Sequence, residues 1–364
     1  MIRCSRCCIP NTRPDTAFVD GVCSACLSYD KRPDIDWTVR KRDLELLLEQ
    51  GKNGSGFDCI VPSSGGKDST WQALTLIEMG ARPLIITATT CHLTPIGRAN
   101  IDNLARYATT IEVTPNMDVR AKLNRLGLEM VGDISWPEHA SIFSVPFRMA
   151  VAMGIPLIFY GESPQREYGG PPGSDEARTM TRRWVSEFGG FLGLRPADFI
   201  GMERIAAQDM AHYQLPEDMS GVEAHFLGQY IEWDSRRNAR VAEMNGMQCE
   251  LPSTANLWLC ENLDNAQTGV HDHMMYRKYG YGRLAAQVSV GVRRGDVTRE
   301  IAMEMVKDRD GLFPNMYAGV HISDVLRRIA MTEEALVKTL DRFTNWSLFT
   351  GPAADLRPIL KEFA

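Results

Sequence analysis

The residues best suited to chemistry stand in one short run, Ser63 to Ser69, which reads SSGGKDS. Two adjacent glycines give the backbone a dihedral freedom that side chains would forbid. Backbone N–H groups exposed ahead of a helix N-terminus bind anions. The run follows the apolar residues CIVP and precedes the helical pattern STWQALTLIEMG. Composition and position therefore predict a phosphate-binding loop, although neither G-x-x-x-x-G-K-[ST] nor G-x-G-x-x-G is present.

Four cysteines near the N-terminus form a second chemically capable group. Cys4 and Cys7 make one C-x-x-C pair, Cys23 and Cys26 make another, and 15 residues separate the two pairs. This spacing is typical of a zinc ribbon, in which four thiolates complete a tetrahedron and leave no position for a substrate. The pattern predicts a structural Zn²⁺ site that gives a short segment its folding energy.

Composition limits the class of protein. The chain has 364 residues, of which 44% are hydrophobic and 24% charged, and its formal net charge of −6 argues against nucleic acid as the main partner. The start lacks an apolar signal segment, and the apolar stretch 143–160 is interrupted by Arg148 and two prolines. We therefore expect a cytoplasmic protein without membrane insertion. The nine cysteines predict metal binding or free thiols rather than disulfides, with Cys8, Cys249 and Cys260 left unassigned.

Short β-rich runs alternate with helical patterns in the middle of the chain. The predicted strands are 57–62, 83–90, 110–115 and 155–163, and the predicted helices are 69–80, 95–108 and 140–154. Ser69 is the expected N-cap of the first of these helices. The alternation predicts an α/β fold with a doubly wound parallel sheet. Ligands bind beyond the carboxyl ends of such strands, so the SSGGKDS loop and Glu162 are expected to face one crevice.

The run Ser64–Ser69 resembles the pyrophosphate loop, SGGxDS, of the N-type ATP pyrophosphatases, the PP-loop superfamily with its adenine nucleotide alpha-hydrolase-like fold. These enzymes split ATP between the α and β phosphates, adenylate a carbonyl oxygen and let nitrogen or sulfur displace AMP. The resemblance implies an ATP-binding loop made of Ser64, Gly65, Gly66, Lys67, Asp68 and Ser69. It also implies Mg²⁺ on Asp68, because hard carboxylate oxygens suit that ion. The candidate catalytic residues are Lys67, Asp68 and Glu162.

Longer blocks extend the resemblance over nearly the whole chain. They read CSRCCIPNTRPDTAFVDGVCSAC, LTPIGRANIDNL, GDISWPEHASIFSVPFRMAVAMGIPLIFYGESPQREYGG, HFLGQYIEWD and NLDNAQTGVHDHMMYRKYGYGR. In this order they resemble the N-acetyl sugar amidotransferases of surface-polysaccharide biosynthesis. We expect a zinc-ribbon-like segment over 1–35, a PP-loop ATP-binding domain over 36–200 and a mainly helical substrate- or partner-binding region over 201–364.

The resemblance implies a particular reaction. The acetamido oxygen of a nucleotide-linked N-acetyl sugar attacks ATP, pyrophosphate leaves, and ammonia displaces AMP to give an acetamidino sugar for lipopolysaccharide O-antigen. The chain shows no glutaminase of its own, because residue 2 is Ile and no G-x-C-x-G elbow occurs. A glutaminase and a cyclase-like subunit are the implied ammonia suppliers. The sugar, its nucleotide carrier, the docking surface, the oligomeric state and any general base stay open.

Several further residues are weighed against plain structural roles. The candidate substrate ligands are Glu167, Tyr168, Lys278 and Arg283. Glu167 and Tyr168 stand in a Gly-rich loop that could close over substrate, and a plain loop is as consistent with the sequence. Lys278 and Arg283 flank YGYG, where cations and aromatic rings near glycines suit a sugar nucleotide, and a solvated surface role stays open for both. The run His271-Asp272-His273 does not predict a shared metal site, because adjacent residues point in different directions. Asp133 is equally consistent with a helix cap, and His139 with a structural histidine.

Two alternatives to the amidotransferase remain. A PP-loop tRNA-thiolating enzyme with a zinc ribbon would show a basic face and a further cysteine pair to carry sulfur, whereas this chain is acidic and has no third C-x-x-C. A zinc-ribbon scaffold that binds ATP without turning it over is the second alternative.

Overall fold

The computed structural model describes residues 1–52, 54, 56–351 and 355–364. The N-terminal segment holds a short hairpin and a helix, namely β1 (Phe18–Val19), β2 (Val22–Cys23) and α1 (Ser24–Asp30). The first part of the α/β region consists of α2 (Trp37–Gln50), β3 (Cys59–Pro62), α3 (Lys67–Glu78), β4 (Pro83–Ala88), α4 (Pro95–Leu104), β5 (Thr110–Val113) and α5 (Met117–Val131). Its second part consists of α6 (Trp136–Met153), β6 (Leu157–Tyr160), α7 (Pro164–Tyr168), α8 (Arg182–Phe188), α9 (Ala207–Met210), β7 (Glu223–Phe226) and α10 (Ser235–Met244).

The rest of the described chain is mainly helical. It consists of α11 (Thr268–Tyr279), α12 (Arg283–Arg294), α13 (Arg299–Arg309), β8 (Met316–Tyr317), β9 (Val320–His321), α14 (Ile322–Arg328) and α15 (Glu333–Phe343). The prediction of a helical C-terminal region is confirmed. Among the described helices, none combines the length and the apolar character needed to cross a bilayer.

A five-stranded parallel sheet lies at the centre, with the strand order β5-β4-β3-β6-β7. The chain runs outwards from β3 through β4 to β5, and then returns to the other side of β3 as β6 and β7. The prediction of a doubly wound parallel sheet is therefore confirmed. Each predicted strand is present, and each is shorter than expected at one or both ends.

Both faces of the sheet are covered by helices. Val61 and Phe159 pack against α2 and α3 on one face, in a buried cluster that also contains Leu76. The neighbouring residues Ile60 and Ile158 pack against α6 on the other face. Strands buried on both faces lose the alternation of polar and apolar residues, which is why they read as continuous apolar runs.

Helix α3 begins two residues earlier than predicted. Its N-cap is Gly66, in an extended conformation with φ −74° and ψ 169°. The prediction of Ser69 as the N-cap is wrong, because Ser69 already lies inside the first turn. Its hydroxyl lies 3.1 Å from the carbonyl oxygen of Gly66 and 2.8 Å from the hydroxyl of Ser63. The serine therefore holds the loop instead of capping the helix.

Packing continues across the predicted domain boundaries, and the division itself stays a prediction. Strand β7 pairs with β6 although it lies beyond residue 200. One buried cluster joins Leu128 of α5 to Val270 and Leu326 of the C-terminal helices. The sheet region and the helical region thus share buried apolar surface.

Candidate functional site

A cavity of about 430 Å³ opens at the carboxyl ends of β3 and β6. The loop Ser63–Ser69 lines it from the end of β3, and Glu162 lines it from the end of β6. These neighbouring strands lie where the strand order reverses, which is the usual ligand position in an open α/β sheet. The two segments that sequence placed in one crevice do face each other.

The loop approaches helix α4 too closely for a side chain at Gly65. Gly65 has φ +77°, and a Cβ there would lie 2.7 Å from the backbone nitrogen of Ile101. The backbone N–H of Gly65 donates to the hydroxyl of Ser63 at 2.9 Å. Ser63 in turn contacts the hydroxyl of Ser69. Ser63, which stands just before the residues Ser64–Ser69 that the resemblance assigns to ATP, therefore fixes the curvature of the loop.

Lys67 lies at the floor of the cavity with only 5% of its surface exposed. Its ammonium donates to Asp68, and to Oε1 of Glu261 at 3.0 Å. Burial alone would lower the pKa of Lys67, but the charges of Asp68 and Glu261 raise it above its ordinary value. The lysine therefore stays an ammonium ion inside the cavity, as binding of a polyphosphate requires.

Glu261 is held as an anion by its neighbours. Its Oε2 accepts a hydrogen bond from Gln287 at 2.7 Å. Burial opposes ionisation, yet Lys67 and Arg283 hold the pKa of Glu261 below its ordinary value. Glu261 thus holds the ammonium group of Lys67 from the side opposite to the loop.

The carboxylates of Asp68 and Glu162 lie within electrostatic reach of each other, and their negative charges repel. Burial and the charge of Asp68 raise the pKa of Glu162 to about 7. Asp68 accepts from Nδ2 of Asn238 at 2.9 Å. Carboxylates that repel each other beside a phosphate loop are the hard oxygen donors that Mg²⁺ prefers. Asp68 and Glu162 therefore fit the expected magnesium ion, which when bound would offset charge on the phosphates.

The other side of the cavity is apolar and largely aromatic. Its lining consists of Ile86, Phe143, Tyr160, Met180, Trp184 and Phe226. Flat apolar walls suit a planar base or a sugar face. Asp264 also lines the cavity, and burial raises its pKa to about 6.

The candidate substrate ligands divide into two groups. Tyr168 and Arg283 line the cavity, and the guanidinium of Arg283 is held by Oδ1 of Asp272 at 2.9 Å. Glu167 instead forms a buried ion pair with Arg32 and does not line the cavity. Lys278 also lies outside the cavity lining and donates to the carbonyl of Val131 at 3.3 Å.

Some residues that contact the loop carried no sequence signal. Glu261 and Asn238 contact the loop from positions 194 and 170 residues further along the chain. Neither stands in a local motif, so only the folded chain could place them. Cys260 also lines the cavity, next to Glu261, and it too stands in no local motif.

The four N-terminal cysteines converge as their spacing predicts. Cys4 and Cys26 have sulfurs 3.9 Å apart, and Cys7 and Cys23 have sulfurs 3.6 Å apart. Thiolates on a tetrahedral zinc ion, with bonds of about 2.3 Å, lie about 3.8 Å from each other. The sulfur of Cys4 also accepts the backbone N–H of Cys23 at 3.3 Å. The geometry and donor set therefore fit Zn²⁺.

The cysteine cluster is buried against the C-terminal helices. All four sulfur-bearing residues pack with Leu284 and Val288 of α12 and Val306 of α13. Four sulfur ligands held together by the fold in this way match a closed structural zinc site. Burial raises the pKa of the neighbouring Cys8 to about 12, so Cys8 stays a neutral thiol outside the cluster.

Cys249 and Cys260 form a disulfide with a Cα–Cα distance of 4.7 Å. The expectation of metal ligands and free thiols without disulfides is wrong for this pair. The backbone N–H of Glu250 donates to the carbonyl of Leu259, which brings the two cysteines together across a loop. The prediction of free thiols rested on the expected cytoplasmic location, which gives no information on whether two cysteines lie close together in the fold.

Comparison with known proteins gives one family match. Residues 253–353 match the model described as "LPS biosynthesis protein WbpG-like, C-terminal domain". We call residues 253–353 the WbpG-like domain because of this similarity. The match confirms over this segment the resemblance to proteins of surface-polysaccharide biosynthesis. The WbpG-like domain contributes Glu261, Asp264 and Arg283 to the cavity and packs against the cysteine cluster.

A solved structure, "Structure of NMN synthetase from Francisella tularensis", matches 59% of this chain and 88% of its own chain, at 13% identity and a TM-score of 0.28. The fold assignment rests on the sheet itself, since a superposition at this level does not discriminate between folds. No curated protein matches the chain.

Proposed function

We propose that the protein is an ATP-dependent amidotransferase acting on a nucleotide-linked N-acetyl sugar. The acetamido oxygen attacks the α phosphate of ATP, pyrophosphate leaves, and ammonia displaces AMP to leave an acetamidino sugar. The activation is needed because an amide is a poor electrophile and its oxygen is a poor leaving group. The product would serve lipopolysaccharide O-antigen synthesis, and a glutaminase and a cyclase-like subunit would supply the ammonia.

The observation that carries the proposal is the SSGGKDS loop and a WbpG-like domain meeting in one cavity. The loop supplies backbone N–H groups and Lys67 for the pyrophosphate. The WbpG-like domain supplies Glu261 and Arg283 from the opposite wall. A phosphate loop joined to a domain of lipopolysaccharide biosynthesis supports ATP chemistry on a precursor of that polymer.

The charged and aromatic residues of the cavity have distinct roles in the proposed reaction. Lys67 binds the leaving pyrophosphate and offsets the charge that develops on it. Asp68 and Glu162 would hold Mg²⁺, which when bound would offset charge on the phosphates. Arg283, fixed by Asp272, binds a phosphate of the nucleotide sugar. The aromatic wall that includes Trp184 and Tyr160 excludes water from the adenylated intermediate.

The test is AMP formation with a panel of nucleotide-linked N-acetyl sugars. Purified protein receives Mg-ATP and a high ammonium concentration, which replaces the ammonia-supplying subunits. The expected result is AMP, together with a product in which NH replaces oxygen, for one sugar of the panel. ATP consumption independent of every sugar, or binding of ATP without any AMP, would overturn the proposal.

One observation favours a second candidate, sulfur transfer to tRNA. That alternative requires a further cysteine pair near the ATP site, and Cys260 lines the cavity while bonded to Cys249. The net charge of −6 opposes a tRNA surface. The double variant Cys249→Ser/Cys260→Ser separates the two functions. It retains ammonium-dependent AMP formation if the protein is an amidotransferase, and it loses all substrate-dependent AMP formation if the cysteines carry sulfur.

A further inference from the structure

Three metal-ligating side chains meet between the sheet region and the WbpG-like domain, away from the cavity lining. Asp133 lies between α5 and α6, His139 lies in the first turn of α6, and His271 lies in α11. Their candidate ligand atoms all lie within 4.8 Å of one another. The two histidines face each other edge to face, with ring centroids 5.3 Å apart. The ligands thus come from three separate positions and converge on one point.

Hydrogen bonds account for only part of this cluster. Oδ1 of Asp133 lies 2.8 Å from Nδ1 of His271 and accepts the backbone N–H of Ser135 at 2.8 Å. Oδ2 of Asp133 lies 3.6 Å from Nδ1 of His139, which is too long for a hydrogen bond. Nδ1 of His139 is buried and has no hydrogen-bond partner of good geometry in the part of the chain that the structure describes, although the backbone of Gly190 lies close to it. A buried ring nitrogen without a good hydrogen bond costs free energy of folding unless another group, such as a metal ion, binds it.

The backbone of Gly190 packs closely against the ring of His139. A Cβ at Gly190 would lie 2.7 Å from Nδ1 of His139. Ligand atoms on one tetrahedral ion, with bonds of about 2.0–2.1 Å, lie about 3.3 Å apart. The separation of 3.6 Å between His139 and Asp133 is close to this value. An ion between them would satisfy both the nitrogen and the second carboxylate oxygen.

We propose that Asp133, His139 and His271 bind a divalent transition-metal cation of the zinc class. Two imidazoles and a carboxylate are a ligand set that zinc accepts, with the fourth position of the tetrahedron left for water. Because His271 belongs to the WbpG-like domain and the other two ligands to the sheet region, the ion joins the two regions. The site is separate from the cysteine cluster and does not depend on the proposed reaction.

The test counts metal ions bound by the full-length protein. Wild type and His271→Gln are equilibrated with zinc buffered at a low micromolar free concentration, desalted and measured by elemental mass spectrometry. Glutamine can still donate a hydrogen bond to Asp133, so a purely structural contact survives the change. The expected result is one zinc fewer per chain in His271→Gln and in Asp133→Asn. The control His321→Gln, which removes an exposed histidine elsewhere, keeps the wild-type content.

A gain-of-affinity variant guards against loss of folding as the cause. The ammonium of Lys278 lies within electrostatic reach of Asp133 and repels a cation bound there. Lys278→Met should therefore bind zinc severalfold more tightly at this site, a change that misfolding does not produce. Equal zinc content in wild type and His271→Gln, or unchanged affinity in Lys278→Met, would overturn the proposal.

Discussion

At the scale of single residues, the cavity depends on one buried lysine that two carboxylates hold. Lys67 donates to Asp68 within the loop and to Glu261 from the WbpG-like domain. The loop half of this arrangement was predictable from SSGGKDS, because the motif is contiguous. The Glu261 half was not, because 194 residues separate it from Lys67 and it stands in no local pattern.

We predict that Lys67→Met lowers kcat/KM for AMP formation about 10²- to 10³-fold, the usual cost of one preorganised charge donor to a developing anion. The measurement is steady-state AMP release with saturating ammonium. Lys52→Met is the matched control, because Lys52 forms only an exposed ion pair with Glu49. A Lys67→Met variant with wild-type kcat/KM would remove the lysine from the mechanism.

Glu162 should make stability depend on pH in a definite direction. Its native pKa of about 7 exceeds its ordinary value of 4.5, so the native state holds a proton that the unfolded chain has lost between these pH values. The contribution of protonated Glu162 to the free energy of unfolding is therefore complete below pH 4.5, and it is lost as pH rises through about 7. We predict that the melting temperature of wild type minus that of Glu162→Gln falls between about pH 5 and pH 8.

Magnesium supplies the control for that prediction. A cation shared by Asp68 and Glu162 favours the ionised carboxyl, so Mg²⁺ with a non-hydrolysable ATP analogue should move the fall to lower pH. The measurement is a set of melting curves for both proteins with and without the ligand. A flat difference across the pH range would show that Glu162 is not buried beside another carboxylate.

At the scale of elements, the loop between β3 and α3 is set by one glycine rather than two. Gly65 has φ +77° and touches the backbone of α4, whereas Gly66 has φ −74°, which any residue adopts. The pair of glycines in the sequence predicted a loop between a strand and a helix, which the structure confirms, while phosphate binding by this loop stays a prediction. The sequence could not distinguish the roles of the two glycines, because the approach of α4 is a tertiary contact.

We predict that Gly65→Ala lowers the melting temperature and abolishes ATP binding, since a positive φ and a backbone contact of 2.7 Å both oppose a side chain. Gly66→Ala is the matched control for stability. Its Cβ would meet only the hydroxyl of Ser64, at 3.4 Å, so its melting temperature should equal or exceed that of wild type. Calorimetry with and without an ATP analogue measures both effects. Equal melting temperatures and ATP affinities for Gly65→Ala and wild type would contradict this account of the loop.

Strand β7 could not be predicted from the sequence. The four strands β3 to β6 were predictable because apolar runs and intervening helices alternate. The four residues of β7 carry no such pattern, and only pairing with β6 makes them a strand. Helix α10, which brings Asn238 to Asp68, was also outside the predicted elements.

At the scale of the whole molecule, the cysteine cluster and the WbpG-like domain are packed as one unit. The cluster lies against α12 and α13, so loss of zinc should destabilise these helices as well as residues 1–35. The spacing of the cysteines predicted the cluster but not its docking surface, which sequence periodicity does not encode.

We predict that Cys23→Ser releases zinc and lowers the melting temperature by several degrees, at about 1–2 °C for each kcal/mol lost, because the entropy of unfolding grows with chain length. Cys8→Ser is the matched control, because Cys8 is equally buried and lies outside the four-sulfur cluster. Metal analysis and calorimetry measure the two effects together. A Cys23→Ser protein that melts like wild type would mean that the cluster does not support the fold.

The central claim is that the acetamido oxygen of the substrate becomes adenylated. The most direct measurement uses nucleotide-linked sugars labelled with ¹⁸O in the acetamido carbonyl, incubated with the protein, Mg-ATP and ammonium, and follows AMP by mass spectrometry. Attack by that oxygen on the α phosphate, followed by loss of AMP to ammonia, transfers the label into the phosphate of AMP. The account predicts labelled AMP and an unlabelled acetamidino product. AMP without label, with ¹⁸O kept in the sugar, would contradict it.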